Sequence, residues 1–244
     1  MFLDRCRYEI KLMGKRVILT PILTTIGVAL LAELLFNLHT NPARTLSACL
    51  EILLPLATGV MVATITSQDN AIELQLTLPK KYTVTVLSRF SIIVVWTICI
   101  AVFFSISIFI FKLSYVPEPT SSSSVFTLFL IAQLTWLAPL FWFSAVGLCL
   151  ALLFRSRSAC AAILGGIWII EIIFKDYIAS TNWLHPVFLF PTTLLPLVGQ
   201  IPQAIFSMWL TNRFELIGTA LVLLLIGWLL LRNHEVLLKT SNEE

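Results

Sequence analysis

Six long apolar runs, separated by shorter polar stretches, dominate the pattern of hydrophobic and polar positions along the chain. They cover approximately residues 17–38, 49–66, 90–111, 126–154, 159–174 and 215–231. A helix needs about 20 apolar residues to cross the hydrocarbon core of a bilayer. The runs are expected to be helical, because a backbone in that core has no water to bind its polar groups. The pattern predicts an all-α integral membrane protein with six transmembrane helices in a single domain, residues 1–244.

The composition favours the bilayer over a soluble core. Hydrophobic residues make up 58% of the 244 residues and charged residues 12%, whereas a soluble domain is about half apolar and about a quarter charged. The net charge is +3, but the basic residues lie between the apolar runs and form no contiguous patch. We therefore expect no nucleic-acid partner.

The distribution of Lys and Arg predicts the orientation. If the N-terminus is cytoplasmic, twelve of the 16 basic residues fall in cytoplasmic segments and four, Arg44, Lys112, Lys175 and Arg213, fall outside. An excess of Lys and Arg marks the cytoplasmic loops of membrane proteins. We predict a multi-pass protein of the cell membrane (an inner or plasma membrane) with both termini in the cytoplasm.

Two further segments are predicted to contact the membrane without crossing it. Residues 1–16 place apolar side chains at helical spacing among basic ones, which favours a helix lying in the interface; the alternative is a solvated flank that only sets topology. Segment 175–214 is rich in aromatic residues but broken by prolines, which end or kink helices. One or two short re-entrant helices that enter the outer leaflet and return are expected there, before the last span.

The loop 67–89 is predicted to be cytoplasmic and to contain a short amphipathic helix. Asp69 can cap its start, apolar residues follow, and Pro79 limits it before Lys80 and Lys81. Such a helix, placed between two spans, has the shape needed to enter a groove on a soluble partner. The alternative is a loop whose charges only orient the protein.

This loop resembles that of the permease subunits of type-2 ABC exporters. In that family an acidic start precedes a pattern close to G-T-x-E-x-L-x-x-L-P and then basic residues. The corresponding residues here are Ala71, Glu73, Leu78, Pro79, Lys80 and Lys81, with Ala71 near the place where the family often has glycine. The architecture is similar as well, with an interfacial helix, six spans and re-entrant helices between the fifth and sixth. The resemblance covers essentially the whole chain.

The resemblance implies an export pore formed by two permeases, the second being another copy or a paralogue, in contact with membrane lipids. Separate cytosolic ATP-binding subunits would bind ATP and Mg²⁺ and supply the energy, so no cofactor is expected in this chain. The coupling residues would be Asp69, Glu73, Leu76, Pro79, Lys80 and Lys81. A competing hypothesis is a non-transporting scaffold or sensor that binds a cytosolic partner through loop 67–89.

Motifs for independent chemistry do not occur in the sequence. There is no G-x-x-x-x-G-K-[ST] phosphate loop, no HExxH and no G-x-S-x-G, which are the patterns of nucleotide hydrolysis, metalloproteases and serine hydrolases. The five cysteines include no CxxC pair, so neither a metal site nor a disulfide framework is expected. We predict a transport subunit rather than an enzyme.

Three carboxylates lie in the interior of the apolar runs, toward the predicted outer ends of their helices. They are Glu33, Glu51 and Glu171. Acidic residues inside spans are costly and often functional. If the helices adjoin, the three side chains would line an outer vestibule that attracts cations; the alternative is that each reaches interfacial water independently.

The predicted orientation can be tested with single cysteines in a cysteine-free background. A thiol introduced by Ser122→Cys should react with a membrane-impermeant maleimide on intact cells, because residues 112–125 are predicted to be external. A thiol introduced by Ser156→Cys should react only after permeabilisation. The reverse labelling pattern would contradict the orientation and move loop 67–89 to the outside.

Overall fold

A computed structural model describes residues 9–10, 14–37, 42–65, 82–110, 125–154, 156–194 and 203–240. These residues are nearly all helical, which confirms the predicted all-α class. The helices are α1 (Lys15–Asn37), α2 (Pro42–Ala48), α3 (Leu54–Ala63), α4 (Tyr82–Ile110), α5 (Val125–Phe154), α6 (Arg157–Ile173), α7 (Lys175–Ser180) and α8 (Gln203–Thr240). A π-helical turn, Cys49–Leu53, joins α2 to α3, and two 3₁₀ helices, Asn182–Val187 and Pro191–Leu194, follow α7.

Five helical segments are long and apolar enough to cross a membrane, in agreement with part of the predicted set of six spans. They are Val17–Asn37, Leu46–Ala63, Thr83–Ile110, Phe126–Phe154 and Gln203–Arg232. The other predicted span, 159–174, corresponds to α6, which has 17 residues and includes Glu171. At 1.5 Å per residue α6 is about 26 Å long, somewhat less than the hydrocarbon core. The sixth span therefore stays a prediction.

Helix α8 begins at Gln203, well before the predicted span at 215–231. The apolar pattern is interrupted by Asn212 and Arg213, and for this reason the sequence places the start of the span after them. In the structure Asn212 and Arg213 are buried against other elements. Tertiary partners thus allow the helix to continue through a polar stretch that hydropathy treats as a loop.

Helix α5 is the centre of the bundle and packs against α3, α4, α6 and α8. In its most apolar window 72% of the residues are buried, compared with 22% for α1 and for α8. The exposed faces of the two outer helices are apolar, as Leu23 and Leu30 on α1 and Leu225 on α8 show. Lipid is the solvent that such faces require.

The helices α3 and α5 cross at a contact that only glycine permits. A Cβ atom added to Gly147 would lie 2.4 Å from the carbonyl oxygen of Gly59, and one added to Gly59 would lie 2.8 Å from the carbonyl oxygen of Phe143. Small residues allow such close backbone approach between membrane helices. The crossing therefore fixes α3 rigidly to the central helix.

A buried ion pair fastens the N-terminal segment to the start of α4. Nε of Arg89 donates to Oε2 of Glu9 at 3.0 Å, and both side chains are almost fully buried. Of the predicted interfacial helix 1–16, only residues 9–10 and 14–16 belong to the described part of the chain. The lying-down orientation of that helix stays a prediction, but its link to α4 is established by this pair.

The glycine crossing generates a stability prediction. Gly147→Ala should lower the free energy of unfolding by about 1–3 kcal/mol, because the added methyl group must push α3 and α5 apart. The measurement is thermal unfolding of the purified protein in detergent. The matched control is Gly218→Ala on α8, where an added Cβ meets no atom within 4 Å. Equal stability of the two variants would contradict the proposed role of the crossing.

Candidate functional site

A fully buried ion pair lies between the π-helical turn and the last helix. Nη2 of Arg213, on α8, donates to Oε1 of Glu51, and both side chains are essentially inaccessible to solvent. Thr192 completes the cluster: its hydroxyl donates to Glu51 Oε1 at 2.8 Å and accepts from Arg213 Nη2 at 3.0 Å. A charge buried in this way persists only when it is paired and hydrogen-bonded.

Trp209 lies one helical turn before Arg213 and supports the same cluster. Its indole Nε1 donates to the Thr192 hydroxyl at 3.3 Å, and the guanidinium carbon of Arg213 lies 5.3 Å from the ring centroid. Residues four apart on a helix are neighbours on one face, and an arginine over an indole gains a cation–π attraction. The aromatic ring therefore orients the guanidinium toward Glu51.

Two charged side chains, those of Arg213 and Glu171, bind the backbone that follows the first 3₁₀ helix. Nη1 of Arg213 donates to the carbonyl oxygen of Leu189 at 3.1 Å, and the amide of Leu189 donates to Oε2 of Glu171 at 3.3 Å. Leu189 is fully buried and its backbone is not helical. Irregular backbone inside a membrane domain needs such partners from the surrounding protein.

Asn212 fixes the same stretch from the neighbouring position on α8. Its Nδ2 donates to the carbonyl oxygen of His185 at 2.6 Å and lies 3.3 Å from that of Phe188. The Thr219 hydroxyl, two turns further, lies 3.3 Å from the carbonyl oxygen of Pro186. One face of α8 thus binds residues 185–192 along its length, and we call residues 181–194 the inserted segment.

The local sequence explains how Glu51 reaches this cluster. The turn Cys49–Leu53 is π-helical and α3 begins directly after it, with Pro55 in its first turn. Proline is accommodated at a helix start because its missing N–H would have no helical partner there. A π turn changes the register of the side chains around a helix axis, and such turns are frequent at functional sites.

The cluster retains unused hydrogen-bonding capacity. Oε2 of Glu51, Nε of Arg213 and Oδ1 of Asn212 are buried and have no hydrogen-bond partner among the residues that the structure describes. An unsatisfied buried polar atom costs about 1–3 kcal/mol. A water molecule or a polar group of a bound molecule would bind favourably at these atoms.

The structure brings together two of the three carboxylates predicted to line an outer vestibule. Glu51 and Glu171 both bind the inserted segment, through Thr192 and Leu189. Glu33 lies on α1 with an exposed side chain and takes no part in the cluster. The charge of Glu51 is compensated by Arg213, so it adds no net negative field; the vestibule itself stays a prediction.

Sequence reasoning missed Arg213, which was counted among the external basic residues. Its location next to Asn212 and four residues after Trp209, in a chain with few charges, is a pattern that could have identified it. A charged residue within a span normally has a partner of opposite sign, and Glu51 was already recognised as unusual. The sequence alone does not indicate which carboxylate pairs with Arg213.

The predicted coupling residues lie outside the part of the chain that the structure describes. Asp69, Glu73, Leu76, Pro79, Lys80 and Lys81 all fall within 66–81. The structure describes only the two ends of this connection, at Ile65 and Tyr82. Loop residues 82–89 are helical and form the first turns of α4.

Within the described ranges, no group of three His, Cys, Asp or Glu side chains could hold a metal ion. No protein-family model, curated protein or solved structure matches the chain. The fold and the site together define a helical protein with five helices able to span a membrane, in which a buried ion pair and two further polar side chains position the inserted segment.

The ion pair generates a prediction for a double-mutant cycle. Arg213→Met should lower the free energy of unfolding by about 3–5 kcal/mol, because it leaves the Glu51 carboxylate buried without a partner. Glu51→Leu should lower the free energy of unfolding by a similar amount, because it leaves the Arg213 guanidinium buried without a partner. The double variant Glu51→Leu/Arg213→Met should be more stable than either single variant, since no unpaired charge remains. Thermal unfolding in detergent measures all three.

Glu33→Gln is the matched control, because this exposed carboxylate on α1 should change stability by about 0.5 kcal/mol or less. Additive losses in the double variant would show that the two side chains do not act as a pair.

Proposed function

We propose that the chain is the membrane-spanning subunit of an ATP-driven ABC transporter. Two permease subunits would form a pore that exports a substrate, powered by separate cytosolic ATP-binding subunits. The observation that carries the proposal is the place of the coupling-type sequence, in the connection between α3 and α4. These helices belong to the second and third candidate spans, and in the exporter family the coupling loop connects the same two spans.

Six spans are proposed, with α6 as the fifth and with both termini in the cytoplasm. In this orientation Ala63 and Tyr82, which flank the coupling connection, face the cytoplasm. The Glu9–Arg89 pair then lies at the same surface and joins the N-terminal segment to the base of α4. A force applied at the connection would reach both elements together.

The contacts of α3 suggest how that force would cross the membrane. Because α3 and α5 are in close backbone contact at Gly59 and Gly147, we expect the two helices to move together. At the other end of α3 the π-helical turn carries Glu51, which binds Arg213 and Thr192. A displacement at the cytoplasmic end of α3 would therefore be transmitted to α8 and to the inserted segment.

In the proposed orientation the inserted segment lies toward the outer side. It takes the role of the re-entrant helices, closing the outer end of the pore until the coupled motion shifts it. Buried Phe188, Leu189 and Phe190 contribute its apolar contacts with the bundle, and Glu171, Asn212 and Arg213 contribute its polar ones.

The coupling assignment predicts the effect of two substitutions in the connection. Glu73→Lys and Leu76→Asp should each weaken association with the ATP-binding subunit, because loss of an interface anchor costs about 2 kcal/mol or more. The measurement is co-purification of the ATPase with the tagged full-length chain, followed by its ATPase rate and transport.

The control is Asp176→Lys, an exposed charge reversal on α7, which lies on the predicted opposite side of the membrane. Unchanged complex formation and transport in both loop variants would remove the coupling assignment. If no ATPase co-purifies with the wild-type chain, the scaffold or sensor hypothesis is favoured.

A further inference from the structure

A groove of about 520 Å³ separates α1 from α3 on the outside of the bundle. One wall is the face of α1 between Val17 and Leu31, the other runs along α3 to Thr64, and Arg157 lies among the lining residues. Leu23 and Leu31 on the groove wall are 61% and 49% exposed. The groove therefore opens sideways, toward the surface that faces lipid.

The walls of the groove are apolar even where threonines line it. The Thr24 hydroxyl donates to the carbonyl oxygens of Thr20 and Pro21 at 3.0 and 2.8 Å, and that of Thr64 donates to Met61 at 2.7 Å. Hydroxyls that donate to their own helix in this way have no free proton to offer to a polar solute in the groove. The groove is thus suited to hydrocarbon rather than to a polar solute.

Gly27 widens the groove at the middle of α1. No atom lies within 4 Å of a Cβ built at this position, so the helix backbone itself forms part of the wall. From Val17 to Leu31 the wall is about 21 Å long. This is enough for one acyl chain, which reaches across half of a hydrocarbon core of about 30 Å.

Arg157 supplies a charge at one end of this apolar groove. It is the first residue of α6, its side chain is exposed, and it belongs to the groove lining. Among the described residues, no carboxylate lies within salt-bridge distance of its guanidinium. Guanidinium groups bind phosphate oxygens in bidentate geometry. The lining also includes Val17, near the start of α1, and Thr64, directly after α3, so the groove extends to the ends of both helices.

We propose that this groove binds one anionic phospholipid, with an acyl chain between α1 and α3 and the phosphate on Arg157. The apolar walls select hydrocarbon, and Arg157, which has no carboxylate partner among the described residues, selects a negatively charged headgroup, as basic pockets between membrane helices do. The bound lipid fills the gap between α1 and α3. This site is separate from the Glu51–Arg213 cluster and does not depend on the proposed transport function.

Native mass spectrometry of the full-length protein in mild detergent tests the proposal. The probes are phosphatidylglycerol and phosphatidylcholine with identical acyl chains, added in equal amounts. The wild type should retain one lipid with a preference for phosphatidylglycerol. Gly27→Trp should reduce retention of both lipids by about tenfold or more, because the indole displaces several methylenes from the groove. Arg157→Gln should reduce phosphatidylglycerol retention by about fivefold and leave phosphatidylcholine unchanged.

Two variants outside the groove are the matched controls. Gly218→Trp places an indole at another open glycine, on α8, and Arg232→Gln removes an exposed arginine near the end of the α8 candidate span. Both should retain lipid like the wild type.

Three results would overturn the proposal. The first is wild-type lipid retention in Gly27→Trp, and the second is an unchanged headgroup preference in Arg157→Gln. The third is a wild-type dimer that becomes monomeric in Gly27→Trp with lipid retention unchanged; this result would instead assign the groove to an interface between two copies of the chain.

Discussion

The buried pair of Glu51 and Arg213 is the interaction on which the rest of this structure depends. The two residues are 162 positions apart in the chain, and neither charge could persist in a bilayer without the other. Their pairing determines where α8 lies against the π-helical turn, and thereby where Thr192, Trp209 and Asn212 meet. A polar stretch that would otherwise have to lie outside the membrane becomes part of a continuous helix.

The same pairing explains why irregular backbone is tolerated beside the core of the bundle. Residues 188–190 form no helix, yet Leu189 has both its amide and its carbonyl group bound, to Glu171 and to Arg213. Glu51 and Arg213 thus neutralise each other, and Arg213 and Glu171 also hydrogen-bond to the backbone of the inserted segment. Buried Phe188, Leu189 and Phe190 add apolar contacts to these polar ones, so both kinds of contact hold the inserted segment against the bundle.

Helix α3 has two sides of opposite character. Toward α5 it is in backbone contact at Gly59 and Gly147, where no added atom fits. Toward α1 it leaves a groove of about 520 Å³. In the proposed transporter the tight side would transmit displacement, and in the proposed lipid site the open side would accept a hydrocarbon chain.

The apolar pattern by itself determined that the chain is helical and that its helices are apolar enough to span a membrane, because the requirement for about 20 apolar residues acts on each segment independently of the others. It also identified Glu51 and Glu171 as unusual, since a carboxylate in an apolar run is costly wherever the run lies. Only the tertiary structure decided that Glu51 pairs with Arg213, that α8 begins at Gln203 and that Glu33 stays apart on α1. These outcomes depend on which helix faces meet, and the meeting of faces is set by long-range packing such as the glycine crossing. Hydropathy along the chain carries no information on that geometry.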